Sequence, residues 1–229
     1  MRPYEQKKLF GFEENFKEFV DLYKKNTFPN KIIFSGKKGI GKSTFVFHIV
    51  NYIFSIGEEK PYILDSNEID VDNRSYNLVK NQSHPNFFYI KLNENKKNID
   101  ISQIREIINF SSKSSFDDKI KIIFIEDVEN LNINAVNALL KIVEEPNNKT
   151  FFILTHNYEK KIIDTLKSRC IEFKMKLDNK YIEDIVNYIF NDKLFSTVTD
   201  DFSNNFDTPR NFINFINFCE KNKLDYKKI

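Results

Sequence analysis

The chain has 229 residues, of which 41% are hydrophobic and 30% are charged, a balance typical of a globular protein with a sizeable core. The formal net charge is only +2, so the overall charge gives no reason to expect nucleic-acid binding. Two cysteines, Cys170 and Cys219, are too few for a disulfide framework or a four-cysteine zinc site. The N-terminus has no apolar signal core and no run approaches about 18 apolar residues, so we expect a cytoplasmic protein without a membrane segment.

The first third of the chain alternates helical and strand patterns around a glycine-rich stretch. Apolar residues at helical spacing predict a helix over residues 12–26, and the short apolar run 31–35 predicts a strand. After the glycines, helical spacing resumes over 42–54. Residues 57–86 are polar and irregular, with only 62–64 apolar, so we predict no regular element there.

The remaining patterns predict an α/β domain followed by helices. We predict a strand at 87–92, a helix from 101 to 108, a strand at 120–125 covered on both faces, and a helix at 134–144 that Pro146 ends. A strand at 150–154, a helix ending at 168 and a strand at 171–173 follow. Beyond 178 only the helical patterns 181–190 and 209–219 remain. The fold class predicted is therefore α/β, a parallel sheet with helices on both faces over residues 1–175, followed by a small helical domain over 176–229.

A phosphate-binding loop is predicted at the glycine-rich stretch, where residues 36–43 read GKKGIGKS and match G-x-x-x-x-G-K-[ST] in full. Such a loop turns backbone N–H groups toward phosphate oxygens, and the helix that follows presents its positive N-terminus. The lysine would reach the outer phosphates and the serine would bind Mg²⁺. A chance match in a turn is the alternative, but a strand precedes the motif and a helix follows it. The predicted nucleotide-binding residues are Gly36, Lys37, Lys38, Gly39, Ile40, Gly41, Lys42, Ser43 and Thr44.

An acidic pair ends the apolar run 120–125, where Glu126 and Asp127 follow the strand. In nucleotide hydrolases one carboxylate at this place holds Mg²⁺ and the other orients the attacking water. The usual order is Asp before Glu, and here it is reversed. Because a misplacement of about 1 Å can cost on the order of 100-fold in rate, we expect ATP binding more than brisk hydrolysis. A solvated acidic turn is the alternative.

Several further segments resemble a known family. Residues 137–146 read NALLKIVEEP, and residues 154–170 read LTHNYEKKIIDTLKSRC. The segments ISQIREIINF at 101–110 and RPYEQKKLFGF at 2–12 are also similar to that family, the latter to its adenine-binding segment. Together these motifs resemble the AAA+ clamp-loader subunits, in particular the delta-prime subunits of bacterial DNA polymerase III, and the small subunits of replication factor C. The resemblance implies an AAA+ P-loop NTPase domain with a helical lid.

The resemblance also implies roles for single residues. Asn157 would be the sensor-1 residue near the γ-phosphate, Arg169 an arginine finger acting in trans on a neighbouring subunit, and Arg210 the sensor-2 residue of the lid. Arg105 would contact DNA phosphate by analogy. The alternatives are a turn cap for Asn157, a structural ion pair for Arg169 and solvated helix positions for Arg210 and Arg105.

The family further implies ATP and Mg²⁺ as cofactors, with Ser43 and Glu126 as the protein's Mg²⁺ ligands. The implied partners are other clamp-loader subunits, a sliding clamp and primed DNA. Because residues 57–86 contain no cysteine, we expect no zinc site, and we also expect no collar domain after the lid. His48, His84 and His156 lack metal-ligand spacing, and Cys170 is interpreted as a small buried side chain. Two other hypotheses stay open: a stator of the same complex without turnover, and a stand-alone AAA+ remodelling ATPase.

Overall fold

Five parallel strands form one sheet in the computed structural model, which describes residues 2–93, 95–113, 119–146, 149–190 and 208–224. The strands are β1 (Lys31–Gly36), β2 (Phe87–Ile90), β3 (Lys121–Ile125), β4 (Thr150–Asn157) and β5 (Ile171–Lys174). Their order across the sheet is β2-β3-β4-β1-β5. Because the strands are parallel and β4 lies between β3 and β1, the carboxyl ends of these three strands lie side by side at one edge of the sheet. Ligands bind at this edge in open α/β folds.

The helices cover both faces of this sheet. They are α1 (Glu13–Lys24), α2 (Lys42–Ser55), α3 (Arg74–Lys80), α4 (Ile101–Ser112), α5 (Ile133–Glu144) and the short α6 (Asp164–Lys167). On β1, Ile32 and Phe34 face the cluster that includes α1 to α3, whereas Ile33 faces the cluster that includes α4 to α6. This period-2 alternation of apolar residues within fully buried strands confirms the predicted parallel sheet with helices on both faces.

Two further helices follow the sheet, α7 (Lys180–Phe190) and α8 (Pro209–Lys221). They pack on each other, and their buried side chains, such as Val186 and Phe212, join the cluster of α1 to α3. Thr208 caps α8 and Pro209 occupies its first turn, which suits a helix start. The predicted domain division at residue 175 falls between β5 and α7, and it stays a prediction. No helix among the described residues is long and apolar enough to cross a bilayer.

The prediction of an irregular stretch at 57–86 was wrong at one place, because α3 lies within it. Asn73 caps this helix by accepting a hydrogen bond from the backbone N–H of Tyr76 at 2.6 Å. Glu58, from the preceding loop, accepts hydrogen bonds at 2.6 Å from both Ser75 Oγ and Asn73 Nδ2. A seven-residue helix of this kind depends on such tertiary contacts, and residue periodicity does not show them.

Strand lengths also differ from the prediction. β2 ends at Ile90 rather than at residue 92, because its partner β3 ends opposite it at Ile125. β4 runs three residues beyond the predicted 154, to Asn157, because β1 pairs with it up to Gly36. The longer β4 brings Asn157 beside the first glycine of the phosphate loop.

Candidate functional site

The predicted phosphate loop, residues 36–43, connects β1 to α2 by a backbone that only glycine permits at two positions. Gly39 has φ +91° and Gly41 has φ +103°, both in the left-handed region. A Cβ at Gly39 would also lie 2.7 Å from Cβ of Arg210 and 2.9 Å from Oγ1 of Thr208. The loop is therefore folded against the start of α8, and α2 begins directly after it at Lys42.

Lys42 lies inside this loop rather than in solvent, with 5% of its surface exposed. Its Nζ donates to the carbonyl oxygen of Gly36 at 2.8 Å and to that of Lys37 at 2.9 Å. Burial lowers the pKa of Lys42, and the nearby carboxylates of Asp127, Glu129 and Glu126 act in the opposite direction. The ammonium group is thus held at the loop's centre, where it can meet a phosphate.

The acidic end of β3 contacts the loop through Glu126. Ser43 Oγ donates a hydrogen bond to Glu126 Oε1, and the Tyr89 hydroxyl donates one to Glu126 Oε2. Burial and the neighbouring Glu126 raise the pKa of Tyr89, so its hydroxyl keeps its proton and donates. Both oxygens of this carboxylate are therefore held in place by side chains from two other elements.

Asp127 adopts a left-handed conformation, with φ 51° and ψ 63°. Its backbone N–H donates to Thr155 Oγ1 at 2.9 Å, which fixes the sharp bend after β3. A third carboxylate follows at Glu129, and burial raises the pKa of this group. The strand end therefore carries three acids facing Lys42, one more than the sequence pattern indicated.

A cavity of about 220 Å³ opens beside the loop. Its wall includes Lys42, Ser43, Glu126 and Asp127. The predicted residues Lys38, Gly39, Ile40, Gly41, Thr44 and Arg210 also line it. The N-terminal segment, α7 and α8 supply the rest of the lining, which includes the apolar residues Leu9, Phe10, Ile189 and Ile213 and the polar residues Arg2, Lys8, Asn214 and Asn217. A cavity lined by both cationic and apolar side chains suits a nucleotide, which has a phosphate chain and a flat base.

The two remaining loop residues, Gly36 and Lys37, bound the loop on its other side. Gly36 closes β1, where a Cβ would lie 2.6 Å from the carbonyl oxygen of Met175. Lys37 contributes the backbone carbonyl that accepts from Lys42. Both residues shape the loop through their backbones and lie outside the cavity wall.

Asn157 ends β4 directly opposite Gly36. Its backbone N–H donates to Glu129 Oε2, and its Oδ1 accepts from the backbone N–H of Glu159, both at 3.2 Å. The side chain therefore caps the turn after β4, which was the alternative to a sensor role. It remains a neighbour of the phosphate loop, and the sensor role stays a prediction.

Arg169 lies away from the cavity, after α6 at the surface. Its Nε donates to Glu144 Oε1 at 2.8 Å, and its Nη1 donates to the carbonyl oxygen of Thr165 at 2.7 Å. One third of the arginine side chain and about half of the glutamate side chain are exposed, so the pair stabilises the fold little. Arg169 does not line the cavity of its own chain.

Arg210 and Arg105 occupy different surroundings. The backbone N–H of Arg210 donates to the carbonyl oxygen of Gly39 at 3.4 Å, and the residue lines the cavity. Arg105 lies exposed on α4. The sensor-2 and DNA-contact roles of these two residues remain predictions.

Cys170, His48 and His84 pack against other parts of the fold. Cys170 is partly buried, and burial raises its pKa to about 11, which leaves an unreactive thiol. His48 is fully buried between Tyr62 and the N-terminal segment. His84 stacks on Phe54 at 4.0 Å between ring centroids.

Sequence reasoning missed Tyr89 and Glu129. Tyr89 comes from β2, 37 residues before the carboxylate that it holds, and no motif covers it. Glu129 follows the acidic pair by two positions and could have been noticed by its proximity alone.

The residues at the cavity fit a Mg²⁺-nucleotide. Mg²⁺ prefers hard oxygen ligands and keeps waters and phosphate oxygens beside one or two protein groups. Ser43 Oγ and Glu126 lie in direct contact and offer such oxygens. When bound, the ion would neutralise phosphate charge, while Lys42 and the loop's backbone N–H groups would hold the phosphate chain.

The sheet order, the loop between β1 and α2 and the acidic end of β3 together define an α/β protein of the AAA+ class. The family model described as "DNA polymerase III, delta subunit" matches residues 11–179. The chain belongs to this family of clamp-loader subunits.

Two curated relatives are named DNA polymerase III subunit delta'. The protein from Pseudomonas aeruginosa is 33% identical over 95 residues, which are 42% of this chain and 29% of that protein. The protein from Buchnera aphidicola subsp. Schizaphis graminum is 31% identical over 163 residues, which are 71% of this chain and 47% of that protein. The chain thus spans less than half the length of these two relatives. A solved DNA polymerase III gamma subunit-related protein from Thermotoga maritima has a TM-score of 0.49 and 18% identity, covering 77% of this chain and 49% of its own.

Proposed function

We propose that the chain is an ATP-binding clamp-loader subunit that helps to load a sliding clamp on primed DNA together with other clamp-loader subunits. The observation that carries this proposal is the meeting of Lys42, Ser43 and Glu126 at one end of the cavity. The family supports the assembly in which such a subunit would act. Its output would be a shift between ring conformations driven by nucleotide binding, rather than a chemical product.

Turnover by this site is proposed to be weak or dependent on partners. Glu126, one methylene longer than the usual aspartate, contacts Ser43, which supports a role in holding Mg²⁺. Asp127 is one methylene shorter than the usual glutamate, and its backbone is turned into the left-handed region. A general base displaced by about 1 Å can lose on the order of 100-fold in rate.

Arg169 is proposed to act on the nucleotide of a neighbouring subunit. Its distance from the own-chain cavity and its surface position support this role, because an arginine finger in trans must reach across an interface. The partly exposed pair with Glu144 is weak enough to open when the neighbour binds.

A stator is the second candidate function. In that case the subunit would bind nucleotide without hydrolysing it and would mainly present Arg169. The reversed acidic pair favours this possibility. The stand-alone remodelling ATPase is disfavoured by the family to which the chain belongs.

The test is ATP turnover by the chain alone and then with clamp-loader partners and primed DNA added in turn. Turnover that appears only with partners and DNA supports an active clamp-loader subunit. Binding without turnover in every mixture supports the stator. Brisk turnover by the chain alone, independent of DNA, contradicts both and supports the remodelling ATPase.

A further inference from the structure

A second and larger groove lies beside the carboxyl end of β1 and is rich in lysine. Its volume is about 960 Å³, near the upper end of the range of about 300–1,000 Å³ that ligand sites occupy. Its walls come from the end of β1, from the segment 156–167, and from the end of β5 with the residues that follow it. We call it the lysine groove, after the six lysines that line it: Lys37, Lys160, Lys161, Lys167, Lys174 and Lys176.

The lysine groove concentrates the positive charge of the chain. Its lining includes only two acidic residues, Asp164 and Glu172, so it carries an excess of four positive charges. The whole chain has a net charge of only +2, which means that the rest of the molecule is net negative. Like charges held close together repel one another and attract a ligand of opposite sign. The groove therefore favours an anionic ligand.

Several of these lysines are available to such a ligand. Lys161, Lys174 and Lys176 are exposed. In the part of the chain that the structure describes, the side chains of Lys161 and Lys176 make no ion pair or hydrogen bond. Lys167 pairs with Glu172 at 3.0 Å. The groove thus keeps most of its positive charge after this one internal pair is formed.

An exposed aromatic ring adds an apolar contact to the groove. Tyr158 directly follows β4, and 59% of its surface is exposed although it lines the groove. Tyrosine is enriched at protein interfaces, because its ring buries a large apolar surface while its hydroxyl stays wet. A ligand that fits the groove should therefore combine negative charge with an apolar group.

The lining favours protein carboxylates over nucleic-acid phosphates. No arginine is among the described residues that line the groove, whereas arginine is the side chain best suited to bidentate phosphate recognition. Asp164 and Glu172 would repel phosphates, but a protein segment can place neutral or basic side chains next to them. Sites for single strands stack successive bases on aromatic rings, and Tyr158 is the only tyrosine or phenylalanine in the described lining.

We propose that the lysine groove binds an acidic segment of a partner protein, with an apolar side chain of that segment covering Tyr158. The contact would be made by several lysines acting as point charges around one aromatic ring, so it should form quickly and weaken with salt. This inference does not depend on nucleotide binding, because the groove has its own lining beside the predicted phosphate loop.

The probe is a fluorescein-labelled octapeptide in which glutamate alternates with leucine, titrated with the full chain at low salt and without nucleotide. Fluorescence anisotropy measures its Kd. The wild-type chain should bind this peptide at least about 10-fold more tightly than a peptide with glutamine in place of glutamate, because the lysines attract only the charged form. Lys161→Gln combined with Lys176→Gln should weaken binding of the acidic peptide by about 10-fold.

The matched control is Lys17→Gln combined with Lys24→Gln. These two lysines are exposed on α1 and lie outside the groove lining, so the control lowers the net charge of the chain by the same amount. It should bind the acidic peptide within about 2-fold of wild type, because distant exposed charges are screened. Thermal unfolding of both double variants checks that they fold alike.

The apolar contact is tested with a second peptide, in which glutamate alternates with serine. The wild-type chain should prefer the leucine peptide by about 5-fold, because the leucine side chains lose apolar surface to water in the serine peptide's place. Tyr158→Ser should bind the two peptides within about 2-fold of each other, whereas Tyr188→Ser, an exposed tyrosine on α7 outside the groove, should keep the preference.

Two results would overturn the inference. One is peptide binding that is absent at millimolar concentration, or that both double lysine variants lower equally, since net charge alone would then account for it. The other is a thymidine octanucleotide that binds the wild-type chain more tightly than the acidic peptide and loses this binding in the groove variant, since the groove would then be a nucleic-acid site. A chain that fails to bind ATP but passes the peptide test would refute the proposed function and leave this inference standing.

Discussion

The cavity beside the predicted phosphate loop and the surface around Arg169 are built in opposite ways. In the cavity, Lys42 is almost fully buried, and Glu126 is held by two side chains from other elements. On the surface, Arg169 has a partly exposed partner, Glu144, within its own chain. The comparison indicates that the cavity is organised before a ligand arrives, whereas the role proposed for Arg169 depends on another molecule. Substitutions in the first region should therefore change the chain itself, and substitutions in the second should change only an assembly.

Lys42→Ala should have the largest effect. Removing the ammonium group from the loop should weaken ATP binding by about 100-fold, because hydrogen bonds to charged phosphate oxygens are among the strongest in proteins. Isothermal titration of the purified chain measures this change. Lys24→Ala, an exposed lysine on α1, is the control and should leave the affinity unchanged. A Lys42→Ala chain with wild-type affinity would contradict the assignment of the loop.

The buried histidine beneath the cavity wall should make stability depend on pH. Burial lowers the pKa of His48 to about 3, below the value of about 6.5 in an unfolded chain. The unfolded chain therefore binds this proton first, so the contribution is fully present above pH 6.5 and is lost as the pH falls. Between pH 6.5 and 5 the free energy of unfolding should fall by about 2 kcal/mol through this group.

Denaturant unfolding of wild type and His48→Gln at each pH measures the contribution of His48 to the free energy of unfolding, because glutamine cannot titrate. The wild-type chain should lose more stability than the variant over that range, whatever offset the substitution itself causes. Parallel pH profiles would show that the histidine is not buried as a neutral ring.

Tyr89→Phe should raise the Mg²⁺ concentration at the midpoint of Mg²⁺-dependent ATP binding by about 10-fold, as expected when a group that orients a metal ligand is removed. The ring stays in place while the hydroxyl that holds Glu126 is lost. A Mg²⁺ titration at fixed ATP measures the shift, with Tyr76→Phe as the control, since Tyr76 is a buried tyrosine on α3 outside the cavity wall. An unchanged Mg²⁺ midpoint would remove Tyr89 from the site.

Arg169→Ala should have the smallest effect on the chain by itself. The free energy of unfolding should change by less than about 0.5 kcal/mol, because the ion pair with Glu144 is partly exposed. Own-chain ATP affinity should stay at the wild-type value. Glu144→Ala should behave alike in both measurements, and a marked loss of stability in either variant would assign Arg169 a structural role.

The sequence was most informative where function depends on a short continuous segment. The loop at 36–43 and the acidic end of β3 each carry their chemistry within a few residues, so their spacing predicted both the elements and the positions. Tyr89 could not be predicted, because its contact with Glu126 forms only in the folded chain. The helix α3 was missed for the same reason: Glu58, a loop residue, stabilises its first turn.

The most direct test of the account is the ATP turnover of a reconstituted clamp-loader assembly, containing wild type, Lys42→Ala or Arg169→Ala, measured beside the ATP affinity of each isolated chain. We predict that Arg169→Ala binds ATP as wild type does but lowers turnover at the neighbouring site by about 1,000-fold or more. Lys42→Ala should lose its own ATP binding and leave the finger's contribution in place. An assembly whose turnover is indifferent to Arg169→Ala, or an Arg169→Ala chain that loses its own ATP binding, would contradict the division of roles between the two regions.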